Sequence, residues 1–151
     1  LAVIIGRWIF SVFGVTEFDA GYLAGFFALL GHLYPIYFGF KGGKGVLTSL
    51  GIILVVNPLV FFILLIIFLP VLFITKIVSL VSVTGALLYP FVTLIVDLCL
   101  RKPLLFDFLF AALFSVIVIF KHRGNIQRLI NGTERRIGDK KTDIPQTESK
   151  N

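Results

Sequence analysis

Charged residues are scarce in this chain of 151 residues. Asp, Glu, Lys and Arg make up only 15% of it, against about a quarter in an ordinary soluble domain. Hydrophobic residues make up 58%, and the mean hydropathy is +1.01. A soluble fold of this size would have too little polar surface to cover itself, so the surplus apolar area must face lipid. The composition therefore predicts an all-α, polytopic bundle of helices integral to a membrane.

Several motifs that bind metals or nucleotides are also missing. Cys99 is the only cysteine, which excludes an internal disulfide framework and a cysteine-based zinc site. There is no HExxH, CxxC or G-x-S-x-G motif, and the glycines of residues 40–45 have the wrong spacing for a Walker A loop. Asp97 and Asp107 stand at the ends of apolar segments, where we expect solvated flanking carboxylates. The sequence therefore predicts no metal site and no cofactor.

The sequence contains no methionine, not even at position 1. We therefore expect the natural start to lie upstream and the chain to be an N-terminally truncated fragment. The opening apolar stretch is not predicted to be a signal peptide. No basic region precedes it, and Glu17 and Asp19 follow it in place of a small-residue cleavage site.

Six apolar segments are candidates for crossing the membrane: residues 1–15, 22–38, 46–56, 59–75, 77–96 and 104–120. Segment 46–56 is short, since a helix rising about 1.5 Å per residue would cover roughly half of a 30 Å hydrocarbon core. We expect it either to be re-entrant or to continue through Pro58. Residues 1–120 are thus predicted to form a bundle of five to six membrane segments. The tail, residues 121–151, holds eight of the 14 Lys and Arg.

The distribution of basic residues predicts the side that each loop faces. The positive-inside rule assigns the loop at residues 39–48 and the basic tail to the cytoplasm, and the acidic turn at residues 17–19 to the opposite side. Both basic regions share a side only if residues 46–75 cross twice, with a turn at Asn57 and Pro58. This arrangement leaves Arg101 and Lys102 on the outer side, against the rule.

The loop at residues 39–48 has the composition of an anion-binding site. Gly42, Gly43 and Gly45 stand beside Lys41 and Lys44. Glycines allow successive backbone N–H groups to point at one anion, the lysines add positive charge, and the following helix presents its N-terminus. Taken alone, these residues favour a phosphate site and an ordinary basic turn about equally.

The segment before this loop contains His32 and Pro35 within an apolar run. An ionisable residue inside a membrane segment is by default a functional candidate. We expect instead a structural role, in which a neutral His32 is hydrogen-bonded to a backbone carbonyl that Pro35 leaves without its partner.

The start of the basic tail, residues 121–134, is predicted to form an amphipathic helix. In a helix, His122, Asn125 and Leu129 lie on one side, with Ile126 and Ile130 beside them. Basic amphipathic helices commonly bind anionic lipid headgroups, so this helix is expected to lie along the membrane surface.

Two stretches together resemble motifs of the acyl-phosphate:glycerol-3-phosphate acyltransferase family, the integral membrane type called PlsY. GHLYPIYFGFKGGKGVLT, residues 31–48, resembles that family's second motif, GHxFPxFxxFKGGKGVAT. KHRGNIQRLINGTE, residues 121–134, resembles its third, HRxNIxRLxxGxE. Tyr34, Tyr37 and Leu47 depart from these patterns. A GSGNxGATNxxR-like first motif, which supplies the family with a serine and an arginine, would precede Leu1, so we expect residues 1–151 alone to be inactive.

The resemblance implies a reaction and a set of site residues. The family moves a fatty acyl group from acyl phosphate to the 1-hydroxyl of glycerol 3-phosphate, which gives lysophosphatidic acid at the bacterial cytoplasmic membrane, with no cofactor and no nucleic acid. By resemblance, the loop residues bind the substrate phosphate, His122 and Asn125 line the acyl-transfer centre, and Glu134 holds the tail in place. His122 would either accept the proton of the attacking hydroxyl or only orient phosphate. The loop residues concerned are Lys41, Gly42, Gly43, Lys44 and Gly45.

Two other functions remain open from the sequence. A transporter or channel would explain Pro35, Pro58, Pro70 and Pro90 as breaks in helices that line a path, although it does not explain the tail motif. Another membrane lipid enzyme would use the same loop for a different phosphorylated acceptor or acyl donor.

Overall fold

The computed structural model describes residues 1–14, 18–40 and 42–139. These residues form seven α-helices and one 3-10 turn, with no strand among them, which confirms the all-α prediction. The helices are α1 (Ala2–Val12), α2 (Ala20–Leu33), α3 (Val46–Val56), α4 (Pro58–Thr75), α5 (Val78–Cys99), α6 (Leu104–Lys121) and α7 (Arg123–Ile130), and the 3-10 turn is Ile36–Phe38.

Each predicted apolar segment contains an α-helix in its described part. Within the described part of the chain, four stretches are long and apolar enough to cross a membrane, namely Ala20–Phe38, Pro58–Thr75, Val78–Cys99 and Leu104–Lys121. The helices Ala2–Val12 and Val46–Val56 are apolar but shorter. The prediction of five to six segments is therefore approximate, because it depends on how these two short helices are counted.

The short helix α3 does not continue through Pro58. It ends at Val56, and the side chain of Asn57 caps the next helix by accepting a hydrogen bond from the backbone N–H of Val60 at 3.3 Å. Proline is favoured at the first position of a helix, because the N–H that it lacks would have no partner there. The chain thus turns at Asn57. This turn is what the two basic regions require if they are to lie on the same side of the membrane.

The described parts of both basic regions lie at one end of the bundle, which we call the basic end. It comprises the C-terminal ends of α2, α4 and α6, the described residues of the loop at 39–45, which we call the glycine loop, and α7. The Nζ of Lys121, at the end of α6, donates to the carbonyl of Leu33, at the end of α2, at 3.1 Å. The backbone N–H of Ile137, beyond α7, donates to the carbonyl of Lys76, at the end of α4, at 2.7 Å. The loop and the tail therefore meet in space.

An ion pair fastens α3 at the opposite end. The Nε of Arg7 donates to Asp19 at 2.8 Å, and its terminal nitrogens donate to the carbonyls of Val55 and Val56 at 2.9 and 3.0 Å. These carbonyls belong to the last turn of α3, where no helical N–H is available and positive charge is favoured. Arg7 therefore joins α1, α3 and the connection between α1 and α2.

Asp97 is not the solvated flanking residue that the sequence suggested. It is fully buried, and its Oδ1 accepts a hydrogen bond from the side-chain amide of Asn57 at 3.4 Å. Helix α5 extends to Cys99, so Asp97 lies inside the helix, on the same side as the buried Tyr89 and Thr93 at a spacing of four residues. The helix geometry therefore directs this carboxyl group into the bundle.

Candidate active site

The glycine loop folds back on the end of α2 and leaves no room for side chains at two positions. A Cβ at Gly42 would lie 2.2 Å from the carbonyl oxygen of His32 and 2.6 Å from that of Leu33. Gly45 has a φ of +76°, and a Cβ there would meet Leu29 and Leu33 at 2.8 and 2.9 Å. Glycine at both positions therefore fixes the path of the loop. Lys41 lies outside the described residues.

His32 contacts the loop but lacks the expected hydrogen bond. Its ring is exposed, and its Nε2 would lie 3.0 Å from a Cβ at Gly43. Among the described residues no backbone carbonyl accepts a hydrogen bond from the ring, so that expectation is wrong. The carbonyl of Pro35 instead accepts from the backbone N–H groups of Phe38 and Phe40 at 3.1 and 3.0 Å, because Pro35 starts the turn that follows α2.

Part of the predicted amphipathic stretch is helical, as α7, and His122 directly precedes this helix as its N-cap residue. His122 is 1% exposed and Asn125 is 5% exposed, while Leu129 and Ile126 are half-buried. Ile130 does not join this side, since it is 79% exposed. The junction of α6 and α7 thus directs His122 toward the bundle, and the first turn of α7 does the same for Asn125.

The hydrogen bond of His122 determines which ring nitrogen carries the proton. Its Nδ1 lies 2.8 Å from the carbonyl oxygen of Val118. A carbonyl can only accept, so Nδ1 must donate, and the neutral ring then has a free lone pair on Nε2. His122 is therefore held in the tautomer that can accept a proton at Nε2.

Glu134 fixes the orientation of Asn125. Its Oε1 accepts from the Nδ2 of Asn125 at 2.6 Å, and its Oε2 accepts from the Nε of Arg128 at 2.7 Å. Partial burial would raise the pKa of Glu134, but hydrogen bonds from Asn125, Ser79 and Arg128 outweigh it and hold the pKa below 4.5. With its amino group held, Asn125 keeps its amide oxygen as an acceptor.

We expect Glu134→Gln to loosen the segment after α7 and to lower kcat about tenfold, because one charge-assisted hydrogen bond contributes about 1.5–3 kcal/mol. Trypsin cleavage at Arg135 and Arg136 should accelerate, whereas the exposed neighbour change Thr133→Ala should leave it unchanged. The folded pKa of Glu134 lies below 4.5. The stabilisation is therefore fully present above pH 4.5 and is lost as the pH falls through the folded pKa. Unchanged cleavage of Glu134→Gln at neutral pH would contradict this role.

A polar cavity of about 500 Å³ joins the loop to α7. Basic side chains dominate its wall, with two aromatic residues, Tyr34 and Phe120, and one side-chain amide. Such a wall suits an anion with several oxygens. The lining residues are Tyr34, Lys44, Phe120, Lys121, Arg123, Gly124, Asn125 and Arg128.

Three of these basic residues were not predicted as site residues. Lys121 is held in place by the carbonyl of Leu33 and by the ring of Tyr34, whose centroid lies 3.8 Å from Nζ. Arg123 and Arg128 belong to the same stretch as His122, and that position was the one signal in the sequence that could have identified them.

An apolar cavity of about 270 Å³ lies between α3, α4, α5 and α6. At the basic end, Val46, Val78 and Val118 line it. Val46 directly follows the glycine loop, and the carbonyl of Val118 holds His122. The ring of His122 lines neither cavity, but it is hydrogen-bonded to Val118 of the apolar cavity wall. Its chain neighbours Lys121 and Arg123 line the polar cavity, together with Asn125.

A sequence model described as "Glycerol-3-phosphate acyltransferase" matches residues 1–132. Relatives with the same description include one from Clostridioides difficile strain 630, 44% identical over 141 residues, which covers 93% of this chain and 66% of the relative. Another, from Syntrophomonas wolfei, is 48% identical over 113 residues, which covers 75% of this chain and 55% of the relative. The chain thus spans 55–66% of the length of these relatives.

Two solved structures have a similar fold. Both are described as PlsY (YgiH), an integral membrane glycerol 3-phosphate acyltransferase, one in the glycerol 3-phosphate form and one in the lysophosphatidic acid form. Each is 31% identical to this chain, with a TM-score of 0.72. They cover 91% and 89% of this chain, which in turn covers 66% of each.

Proposed function

Because the chain belongs to the glycerol-3-phosphate acyltransferase family, we propose that the protein transfers a fatty acyl group from acyl phosphate to the 1-hydroxyl of glycerol 3-phosphate. It is a multi-pass membrane protein. The observation that carries the proposal is that Asn125 lines a basic polar cavity while the neighbouring His122 is hydrogen-bonded to Val118, which lines an apolar cavity. A substrate with a phosphate head and a fatty tail needs both surroundings in contact.

The polar cavity accommodates the phosphate groups of the substrates, and the apolar cavity accommodates the acyl chain. The polar cavity, with Lys44, Lys121 and Arg128 in its wall, binds the phosphate groups. The loop contributes Lys41 to Gly45, and α3 begins directly after Gly45, so its positive N-terminus faces the same region. The apolar cavity holds the acyl chain, and the carbonyl carbon then lies near His122.

The proposed reaction needs one proton acceptor and one oriented hydroxyl group. The 1-hydroxyl oxygen of glycerol 3-phosphate attacks the acyl carbonyl carbon, the bond from that carbon to the phosphate oxygen breaks, and inorganic phosphate leaves with the electron pair. The amide oxygen of Asn125 accepts a hydrogen bond from the other hydroxyl group of glycerol 3-phosphate and so orients the attacking one. The proton goes to Nε2 of His122 or to an oxygen of the departing phosphate.

A comparison of acyl donors tests the proposal directly. The complete protein in lipid should acylate glycerol 3-phosphate with acyl phosphate and not with acyl-CoA, and it should release inorganic phosphate in equal amount to lysophosphatidic acid. Turnover with acyl-CoA alone would favour the other membrane lipid enzyme. No product with either donor would refute the function.

The transporter interpretation has little structural support. Pro70 and Pro90 lie inside the continuous helices α4 and α5 and produce no break there. Pro58 stands at the first position of α4, and Pro35 follows the end of α2. Among the described residues these prolines therefore do not create the interrupted helices that line a transport path.

We predict that Lys44→Ala raises the KM for glycerol 3-phosphate about tenfold with little change in kcat. Lys44 is exposed and contributes binding that is equal in the ground state and the transition state, while three other basic residues of the cavity remain. A tenfold change corresponds to about 1.4 kcal/mol of binding. Initial rates over a range of glycerol 3-phosphate concentrations give both constants, and an unchanged KM would remove Lys44 from the site.

We also propose that the basic end faces the cytoplasm, with residues 1–120 as the membrane bundle and 121–151 as a cytoplasmic tail at the cytoplasmic membrane. The positive-inside rule supports this orientation. Cys99 is exposed at the end of α5 opposite the basic end, and it is the only cysteine of the chain. A membrane-impermeant maleimide should therefore label it from outside the cell. A Cys99→Ser, Thr133→Cys variant should be labelled only after permeabilisation, and the reverse pattern would invert the topology.

A further inference from the structure

The apolar cavity extends from the basic end toward the middle of the bundle, where buried side chains line it. Its deep end is formed by Ile53, Leu64, Tyr89 and Phe114, all of which are buried. The rings of Tyr89 and Phe114 meet edge to face, with centroids 6.4 Å apart. We call these four residues the cavity floor. The distance from Val78 at the basic end to Tyr89 is about 16 Å along α5, at roughly 1.5 Å per residue.

A close contact between α4 and α5 forms part of the cavity wall above this floor. Gly85 and Phe68 both line the cavity, and Gly85 lies on α5 between Val78 and Tyr89. A Cβ at Gly85 would lie 2.2 Å from Cζ of Phe68 and 2.7 Å from its Cε2. The ring of Phe68 therefore occupies the space that a side chain at position 85 would need, and any larger residue must displace that ring.

We propose that the depth of this cavity sets the longest acyl chain that the protein uses, with Gly85 and Phe68 as the residues that determine this specificity. The proposal rests on the proposed function, because it takes the acyl chain to be the occupant of the cavity. Each methylene group that enters the cavity gains about 0.8 kcal/mol from burial. A chain that reaches the floor can extend only by forcing apart side chains that are already well packed.

The exposed residues at the basic end of the cavity suggest an alternative, in which cavity depth does not limit the length of the acyl chain. Leu47 is 83% exposed and Val78 is 51% exposed, so this part of the cavity wall borders lipid. If long chains could leave sideways past these residues, cavity depth would place no limit on chain length. The two cases give different dependences of kcat/KM on chain length.

The decisive experiment measures kcat/KM of the complete protein in lipid for acyl phosphates of increasing chain length. Gly85→Ala should lower the value for the longest chains at least about tenfold, because a misfit of one methylene in an apolar pocket discriminates about ten- to 200-fold. Short chains, which end before Gly85, should be unaffected. Gly51→Ala is the matched control, since Gly51 is also helical but nothing lies within 4 Å of its Cβ position.

Two further variants keep the proposal testable if Gly85→Ala folds poorly. Phe68→Ala combined with Gly85→Ala should restore use of long chains, because the smaller residue returns the space that the added methyl group takes. Leu64→Ala lowers the floor and should shift the preferred chain length upward. Equal loss for all chain lengths in Gly85→Ala, or an unshifted preference in Leu64→Ala, overturns the proposal while leaving the acyltransferase function in place. A wild-type protein that uses no acyl phosphate refutes the function itself.

Discussion

Replacement of His122 by alanine is expected to lower kcat by about 10²- to 10⁴-fold, the range over which a positioned proton acceptor contributes to catalysis. The ring is 1% exposed, and its Nδ1 proton is committed to the carbonyl of Val118, so Nε2 is the only ring nitrogen free to accept a proton. The loss should appear in kcat, because proton transfer matters only in the transition state. Steady-state rates with acyl phosphate measure it.

The same variant separates the two roles proposed for His122. If the ring only orients phosphate, KM for the substrates should rise while kcat is largely kept. If it accepts the proton, added imidazole should restore part of kcat in His122→Ala. His122→Asn provides the control for packing, since it retains a buried polar side chain without a basic nitrogen. A kcat within a few-fold of wild type in both variants, with folded protein, would exclude His122 as the proton acceptor.

Gly42→Ala is expected to lower kcat/KM about 100-fold, because displacement of a binding group by about 1 Å can have an effect of this size. The added Cβ would lie 2.2 Å from the carbonyl oxygen of His32. Backbone cannot rotate away as a side chain can, so the loop itself must move. Lys44 and Gly45 would move with it, and both the KM for glycerol 3-phosphate and kcat should change.

A matched substitution separates this effect from the general cost of an added methyl group. Gly31→Ala adds the same group on α2, close to the loop, where nothing lies within 4 Å of the Cβ position. It should retain activity within about twofold of wild type, as surface changes rarely exceed ±0.5 kcal/mol. If Gly42→Ala is as active as Gly31→Ala, the path of the loop is not important for catalysis.

The sequence predicted the elements and the two motif regions well, because both depend on local patterns. Apolar runs identify helices whatever their neighbours, and the three-residue spacing of His122 and Asn125 predicts that both lie on one side at the start of α7, as both are buried. The turn at Asn57 followed from counting crossings between the two basic regions. Such features need no knowledge of which helices pack together.

The features that the sequence did not reveal depend on contacts between distant parts of the chain. The polar cavity is lined by Lys44 from the glycine loop and by Lys121 and Arg128 from the tail. No pattern within the loop or within the tail indicates that these residues lie close together. Asp97 was expected to be solvated because it stands near the end of an apolar run. In the structure its buried carboxyl group is the hydrogen-bond partner of Asn57, which lies between α3 and α4. Only the packing of α5 against this turn shows that the two residues are partners.

The brevity of α3 gives the protein two sides of unequal hydrophobic length. At roughly 1.5 Å per residue, α3 extends for about 16 Å and α5 for about 33 Å, while a hydrocarbon core is about 30 Å thick. Arg7 and Asp19 place an ion pair at the far end of α3. A hydrophobic segment shorter than the hydrocarbon core can be accommodated by thinning of the bilayer beside it. We therefore expect headgroups to approach the middle of the membrane more closely along α3, the helix that begins at the glycine loop, than along α5.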